Sequence, residues 1–457
     1  MSVTVRDTSS AEETAPRDHE HVRPSTPHVA ILERDPADGL EAIPGRDPGG
    51  VPWTAALVLV RIFTQPIGVL QLPISTEGID VEELALAIGM EFGGEVGRLM
   101  NACGLEWTGT VPTDGLYPDR VPPFIEGRER TLRNAPSITV AVCTRGRPEG
   151  LARALTSLRY QEYPSLRVLV IDNAPLDDRN RLVVAEHDSH LDLSYVVEPH
   201  LGLSRARNRS IEASESDVIA WIDDDEACDR WWAAEIGRGF IEHPQADAVS
   251  GMILPAEIET PAQLLFEEYG GHSKGRGFTP AEFSWRTRSI QSPLYPLPPF
   301  GTGGSMAFRR EAIERIGGFD CALGAGTPAL AGEDTAALST LMFLGGTAVW
   351  QPTALVSHWH RRDLDALARV FHGYGRGLGA FYMSTLARHP ESLPELVRLI
   401  PQALKDMTSQ DGPRLGGLGE DFPEDLLRTH RAGLLQGPVM YLRGRLANRR
   451  SRLEAGE

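Results

Sequence analysis

Lysine is almost missing from this chain. Lys274 and Lys405 are the only two in 457 residues, so nearly all of the positive charge is arginine. Charge of that sign is scarce altogether: 45 basic residues face 63 acidic ones, a formal net charge of -18. A general nucleic-acid binder needs a basic surface to replace counterions, so that class is excluded. Cysteine is scarce too. Cys103, Cys143, Cys228 and Cys321 lie far apart, without a CxxC pair or a zinc spacing. That leaves no disulfide framework or structural zinc and suits a reducing cytoplasm. Long apolar runs are also absent. The most apolar early stretch, "AALVLVRIF" (55–63), holds Arg61 and falls short of the roughly 20 residues a membrane-crossing helix needs. The first 28 residues are polar and contain no apolar core of a secretory signal. A cytoplasmic protein is expected, with any membrane contact peripheral to the inner face.

A chain this long exceeds one comfortable core and implies two or three domains. Residues 1–50 are rich in Pro, Asp, Glu and Thr and are expected to be disordered. Residues 51–115 read as a small α+β accessory domain. Two β-like runs, "TAALVLVRIF" and "PIGVLQLPI", form a hairpin-like pair, and "DVEELALAIGMEFGGEVGRLM" carries a helical apolar stripe. Residues 116–136 are expected to be a linker, 137–362 the main domain, and 363–457 a helical region. The chain ends in "YLRGRLANRRSRLEAGE", with five arginines between 443 and 452. That end is either a solvated tail or a contact for anionic lipid headgroups.

The main domain alternates strand and helix. "SITVAVC" (137–143), "LRVLVID" (166–172), "LSYVVE" (193–198) and "DVIAWIDDDE" (217–226) are β-like, with helix-like segments between them. Such a pattern implies a parallel sheet with helices on both faces, and ligands sit beyond the carboxyl ends of its strands. The first end turns through Thr144, Arg145 and Arg147 into a helix, where free N–H groups suit a phosphate, although any β–α turn looks similar. Asp172 closes the second end and can accept from a base or ribose, or simply cap its turn. Gly202, Arg205, Arg207 and Arg209 surround a helix start, where arginine is disfavoured by the dipole. They face either an anionic ligand or solvent. The fourth end is "AWIDDDE", whose crowded negative charges repel unless solvent or a cation relieves them. Asp223 and Asp225 leave an extended chain on one side and Asp224 on the other. That spacing suits a hard divalent cation such as Mn2+ or Mg2+.

In this order, "ITVAVCTRGRP", "VLVIDNA", "GLSRARNRS" and "IAWIDDDE" resemble the nucleotide-binding half of family 2 inverting glycosyltransferases of the GT-A fold. The resemblance implies an α/β domain, a parallel or mixed sheet flanked by helices. It implies that Thr144, Arg145, Arg147, Asp172, Arg205, Asp223 and Asp224 hold the nucleotide. Asp223 and Asp225 would hold the cation against the diphosphate. "PFGTGGSMAFRREAIERIGGFD" (299–320) is similar to segments lining the acceptor side, with Gly303 and Gly304 as acceptor or phosphate contacts, or as plain turn chemistry. In "GED", Glu333 and Asp334 are ordinary for a helix start. In the family they resemble the ED motif whose aspartate is the catalytic base, which points to Asp334 before Glu333. In "ALVSHWHRRD", His358 and His360 are strand-end residues or, by analogy, ligands completing the cation site. Arg361 and Arg362 would neutralise the leaving diphosphate. Processive members often carry a QxxRW motif and membrane helices. Neither is present here, which implies a soluble, non-processive transferase.

The expected reaction moves a sugar from a UDP-, GDP- or dTDP-sugar to a hydroxyl of a glycan or lipid-linked acceptor, with inversion. Two other readings stand beside it. A sugar nucleotidyltransferase would share the sheet and the metal, but it usually opens with a lysine-containing phosphate loop, and "CTRGRPEG" has no lysine. A catalytically silent nucleotide-sugar-binding protein would use the acidic quartet and "GED" only as turns and caps.

Overall fold

Alternating apolar residues in the first third of the chain build a small sheet. A computed structural model describes residues 26–295, 300–408, 418–419 and 421–455. Strands β1 (Val29–Arg34), β2 (Ala55–Ile62) and β3 (Gln65–Pro73) lie in the order β1-β2-β3, parallel and then antiparallel. The β2–β3 turn holds Phe63 and Thr64 at positive φ, and the Asp35 carboxylate accepts both of their N–H groups at 3.2 and 2.6 Å. Val58, Val60 and Ile62 pack on Leu84, Ile88 and Val96 of the helix Val81–Ala102, which Asp80 caps. Two expectations change here. Of the segment read as disordered, residues 1–25 lie outside the described residues, but Val29–Arg34 is a strand, because its pairing partner is the distant edge of β2. The stretch read as a linker contains the helix Pro123–Arg133. Its Arg128 is buried against Glu235 of the main domain, with Nε donating to Oε1 at 3.0 Å.

The main domain follows as β4 (Ile138–Thr144), β5 (Leu166–Asn173), β6 (Leu193–Glu198), β7 (Val218–Asp223), β8 (Glu226–Cys228), β9 (Ala248–Pro255), β10 (Ala281–Ser284), β11 (Met306–Arg309) and β12 (Thr347–His358). Their order is β10-β12-β9-β11-β7-β4-β5-β6, with the short β8 pairing the end of β12. β7, β4, β5 and β6 are parallel to one another, β11 runs antiparallel between β7 and β9, and β12 returns parallel to β9. This is the mixed sheet flanked by helices that the resemblance implied, whereas the alternation by itself implied a wholly parallel one. Every residue of β4 is buried, as expected of a strand covered on both faces. Leu151, Leu155, Trp232 and Ile236 cover one face. Ala206, Ile313, Leu338 and Leu341 cover the other. Register sets Thr144 opposite Asp172 and Cys143 opposite Asp223, so three strand ends finish at one level.

The C-terminal region is helical, with helices Leu364–Arg388, Leu393–Thr408 and Glu424–Ala455. The first and last pack side by side and run parallel, with glycine along their seam. A Cβ on Gly375 would overlap the His430 carbonyl, and one on Gly379 the Leu434 carbonyl. The two backbones therefore touch without side chains between them. Gly375→Ala should lower thermal stability by about 1–3 kcal/mol through overpacking. Gly94→Ala, on a helix position with nothing within 4 Å, should instead be neutral or stabilising. Melting curves of the two variants beside wild type check this.

Candidate functional site

The acidic quartet is sorted by the pleat and by the turn that follows it. Asp224 is buried and faces back to the first strand end, where Thr144 Oγ1 and Arg147 Nη1 each donate to it at 2.8 Å. Burial raises its carboxyl to about 6, against the opposing pull of Arg147. Glu226 is also buried. Its Oε2 accepts the Asp223 N–H at 2.8 Å, while Oε1 has no hydrogen-bond partner. Burial, reinforced by the charge of Asp223, pushes this carboxyl well above the usual range. Asp223 and Asp225 remain turned to the cleft. Asp225 Oδ2 accepts from Arg147 at 3.0 Å and from Arg361 at 3.1 Å, and its Oδ1 lies 3.4 Å from His358 Nε2. Burial opposes ionisation of Asp225, but His358, Arg147 and Arg361 together hold its carboxyl below the ordinary aspartate range.

Across the cleft, the helix Glu333–Phe343 begins with the second acidic pair. The buried Arg207 joins the two sides. Its Nη1 donates to Glu333 Oε1 at 2.8 Å, and its Nη2 reaches Asp223 Oδ1 and the Gly303 carbonyl, both at 3.3 Å. Gly303 N–H donates to Asp334 Oδ2 at 2.8 Å. A Cβ at Gly303 would press on Arg207 and Asp334, and one at Gly304 would collide with Glu226. The glycine loop is thus a thin spacer threaded between the two acidic segments. Glu333 is buried and its carboxyl is raised to about 7, by burial first and by Asp334 second, despite Arg207. Asp334 is half-buried and more open to the cleft.

A chain of imidazoles completes the acidic side. His360 Nε2 lies 2.7 Å from Glu267 Oε1, and its Nδ1 lies 2.7 Å from His358 Nδ1. With the carboxylate taking the Nε2 proton, His360 Nδ1 can only accept, so His358 Nδ1 must donate. His358 Nε2 then faces Asp225 Oδ1 at 3.4 Å, and a proton or a cation is required between them. Carboxylate–histidine chains of this kind orient metal ligands. Asp225 and His358, with Asp223 beside them, therefore fit a divalent cation, and their 3.4 Å separation is close to the roughly 3 Å between adjacent ligands of one ion. His272, from the loop after the helix Pro261–Glu268, adds a third imidazole. The ring nitrogens of His272, His358 and His360 all lie within 4.8 Å of one another.

Not every expected residue reaches this cleft. Asp172 is fully buried, and both of its oxygens are taken, by Asn180 Nδ2 at 3.1 Å and by the Tyr195 hydroxyl at 2.8 Å. It offers no open face to a nucleotide. Arg205 points to Asn448 at 3.0 Å on the last helix, because two helical residues turn it roughly 200° from Arg207. Arg362 pairs with Glu257 and Glu259, since neighbouring residues of an extended segment face opposite ways. Arg145 is exposed at its turn. His360 stands behind His358, not beside Asp225. Arg207, expected with Arg205 and Arg209 to face a ligand or solvent, is buried between the two acidic segments, and no role was expected for Glu226 or His272. Nothing local in "GHSKGRG" signals His272.

The α/β domain thus gathers acidic groups and arginines at the ends of its strands. Residues 139–317 match the sequence model of Glycosyl transferase family 2. The chain is similar to the pre-mycofactocin glycosyltransferase of Mycobacterium tuberculosis, 27% identical over 271 residues, which are 57% of this chain and 50% of that protein. The chain thus spans half the length of that relative. It is also similar to the glucosyl-dolichyl phosphate glucuronosyltransferase of Haloferax volcanii, 23% identical over 264 residues, 54% of this chain and 78% of that protein. Among solved structures, a mannosyltransferase from Pyrobaculum calidifontis in complex with GDP-Man and Mn2+ aligns at TM-score 0.40 and 19% identity, covering 72% of this chain and 88% of that one.

The raised Glu333 carboxyl sets a pH dependence. In the unfolded chain it ionises in the ordinary glutamate range, and in the folded protein only near about 7. The folded state binds the extra proton in that window, so stability is full below it and falls as pH rises through about 7. Asp224 adds a slope of the same sign, ending near about 6. In urea unfolding of metal-free protein at about pH 5 and about pH 7.5, Glu333→Gln should reduce the difference between the two midpoints.

Proposed function

We propose that the chain transfers a sugar from a nucleotide-sugar donor to an acceptor hydroxyl, inverting the anomeric centre, with a divalent cation at Asp225 and His358. The observation that carries this reading is the Arg207 bridge, which brings the acidic end of β7 within one guanidinium of the helix that opens with Glu333 and Asp334. One side of the cleft has groups suited to a diphosphate. The other has a carboxylate able to take a proton.

A divalent cation, Mn2+ or Mg2+, supplies positive charge to the leaving diphosphate when held by Asp225, His358 and Asp223. Arg147 and Arg361, which otherwise neutralise Asp225, turn to phosphate oxygens as the donor enters. The turn at Thr144–Arg147 receives the nucleotide. The acceptor oxygen attacks the anomeric carbon from the side opposite the diphosphate, and its proton passes to Asp334. The bond from the anomeric carbon to the diphosphate oxygen breaks, and its electron pair leaves with the diphosphate. Glu333 suits the base poorly, because near neutral pH it is partly protonated and it is committed to Arg207. The loop of Gly303 and Gly304 lies on the acceptor side and fixes the direction of the Asp334 carboxylate.

A UDP-, GDP- or dTDP-sugar is the donor class. A lipid-linked or glycan acceptor is supported by the Haloferax relative, whose name specifies a dolichyl phosphate carrier. No described helix is long and apolar enough to cross a membrane. The reading is a cytoplasmic enzyme that meets its acceptor from one side of a bilayer.

Purified protein incubated with a panel of nucleotide sugars and Mn2+ or Mg2+ should release nucleoside diphosphate from one donor class. Asp225→Asn should lower that rate about 10²–10³-fold, and Asp334→Asn by a similar factor with donor binding retained. By calorimetry, His358→Ala should weaken Mn2+ binding at least about tenfold. Folded protein that binds no donor in the presence of either cation would sink the proposal.

A further inference from the structure

From Leu426 to Leu453 the chain has seven arginines and no acidic residue, in a protein of net charge -18. This segment lies in the helix Glu424–Ala455. Gly433, Gly437 and Gly444 seat one face of that helix on the protein, against His372, Ala380 and Ala322. The opposite face carries Leu435, Val439, Leu442 and Leu446, which are 81%, 52%, 47% and 60% exposed. Their spacing of four, three and four puts all of them on a strip about 60° wide and roughly 16 Å long. Arg443 flanks it on one side and Arg445 and Arg449 on the other, all exposed. Four large apolar side chains in a row facing water are unfavourable unless something covers them.

The charge around the strip identifies what covers it. An apolar line bordered by arginines is the pattern of a helix lying in the headgroup boundary of a bilayer, with the guanidinium groups on lipid phosphates and their stems along the acyl region. Anionic lipid is favoured because basic side chains near such a surface add attraction. A second copy of the chain is disfavoured. Two-fold pairing of this face with itself would oppose arginine to arginine, between chains that already repel through their net charge.

We infer that this face of the last helix docks on an anionic membrane surface, with Leu435, Val439, Leu442 and Leu446 in the acyl boundary and the flanking arginines on lipid phosphates. The inference deepens the one-sided membrane contact proposed above, although vesicle binding requires no turnover and tests it separately. The experiment is flotation of the full-length protein with phosphatidylcholine vesicles, with and without phosphatidylglycerol, at about 0.1 M salt. Wild type should float with the anionic vesicles and stay behind with the neutral ones. Leu435→Ser combined with Leu442→Ser should cut recovery at least about tenfold, and Arg443→Gln with Arg449→Gln should weaken it and remove the preference for anionic lipid. All four positions face water, so far-UV circular dichroism should be unchanged.

Equal recovery of wild type and the leucine variant would overturn the inference, as would wild type that never floats. Sedimentation velocity supplies the remaining arm. A wild-type dimer that the leucine variant dissociates, with no vesicle binding, would assign the strip to a second copy. Failure of flotation alongside normal donor turnover would remove the membrane surface and leave the transferase reading intact. Flotation without turnover would do the reverse.

Discussion

One buried guanidinium holds the candidate site in shape. The end of β7 and the start of the helix Glu333–Phe343 are both acidic and are drawn together by the sheet, and in a low-dielectric interior their charges would drive them apart. Arg207 is 2% exposed and gives one nitrogen to Glu333 and the other to Asp223 and the Gly303 carbonyl. Removing one partner of such a buried pair typically costs about 3–5 kcal/mol, because the remaining charge is left without compensation. The glycine loop, the orientation of Asp334 and the spacing of the cleft all follow from where this side chain sits.

The quartet that looks like a single patch of charge is four residues with separate surroundings. Asp224 ties the turn to β4, Asp223 faces Arg207, Asp225 faces arginine and imidazole, and Glu226 turns inward to hold the Asp223 amide. Three of the four carboxyls, those of Asp223, Asp224 and Glu226, are raised by burial and that of Asp225 is lowered by its partners, so they do not share charge equally. The short β8 is what permits this, since it folds the chain back on β12 and sets His358 against Glu226 in register. The run of Glu267, His360 and His358 then ends with the His358 Nε2 facing Asp225.

The parallel sheet was legible because strands buried on both faces read as unbroken apolar runs, and each run here ends in a distinct polar punctuation. The ends of β4 and β7 could be found that way, and so could the acidic helix start. What stayed hidden depends on angle or on distant partners. Arg205, Arg207 and Arg209 are equivalent in sequence, and only the phase of their helix turns Arg207 inward. Asp172 has the right type at the right strand end, yet Asn180 and Tyr195 close it off. β1 exists because β2 has an open edge, and the helix Pro123–Arg133 because Glu235 needs a cation. His272 comes from a loop whose fold is set by rings packed around Phe266 and Lys274.

The glycine seam between the helices Leu364–Arg388 and Glu424–Ala455 has a mechanical consequence. Side chains absorb small shifts by changing rotamer, but here backbone rests on backbone and no such cushion exists. The two parallel helices are therefore joined main chain to main chain. The inner one carries Tyr374, whose phenol burial pushes up with help from the charges of Asp334 and Asp223, while the outer one carries the leucine strip. The leucine strip and Tyr374 are thus linked with no side-chain rotamer at the seam to take up a shift.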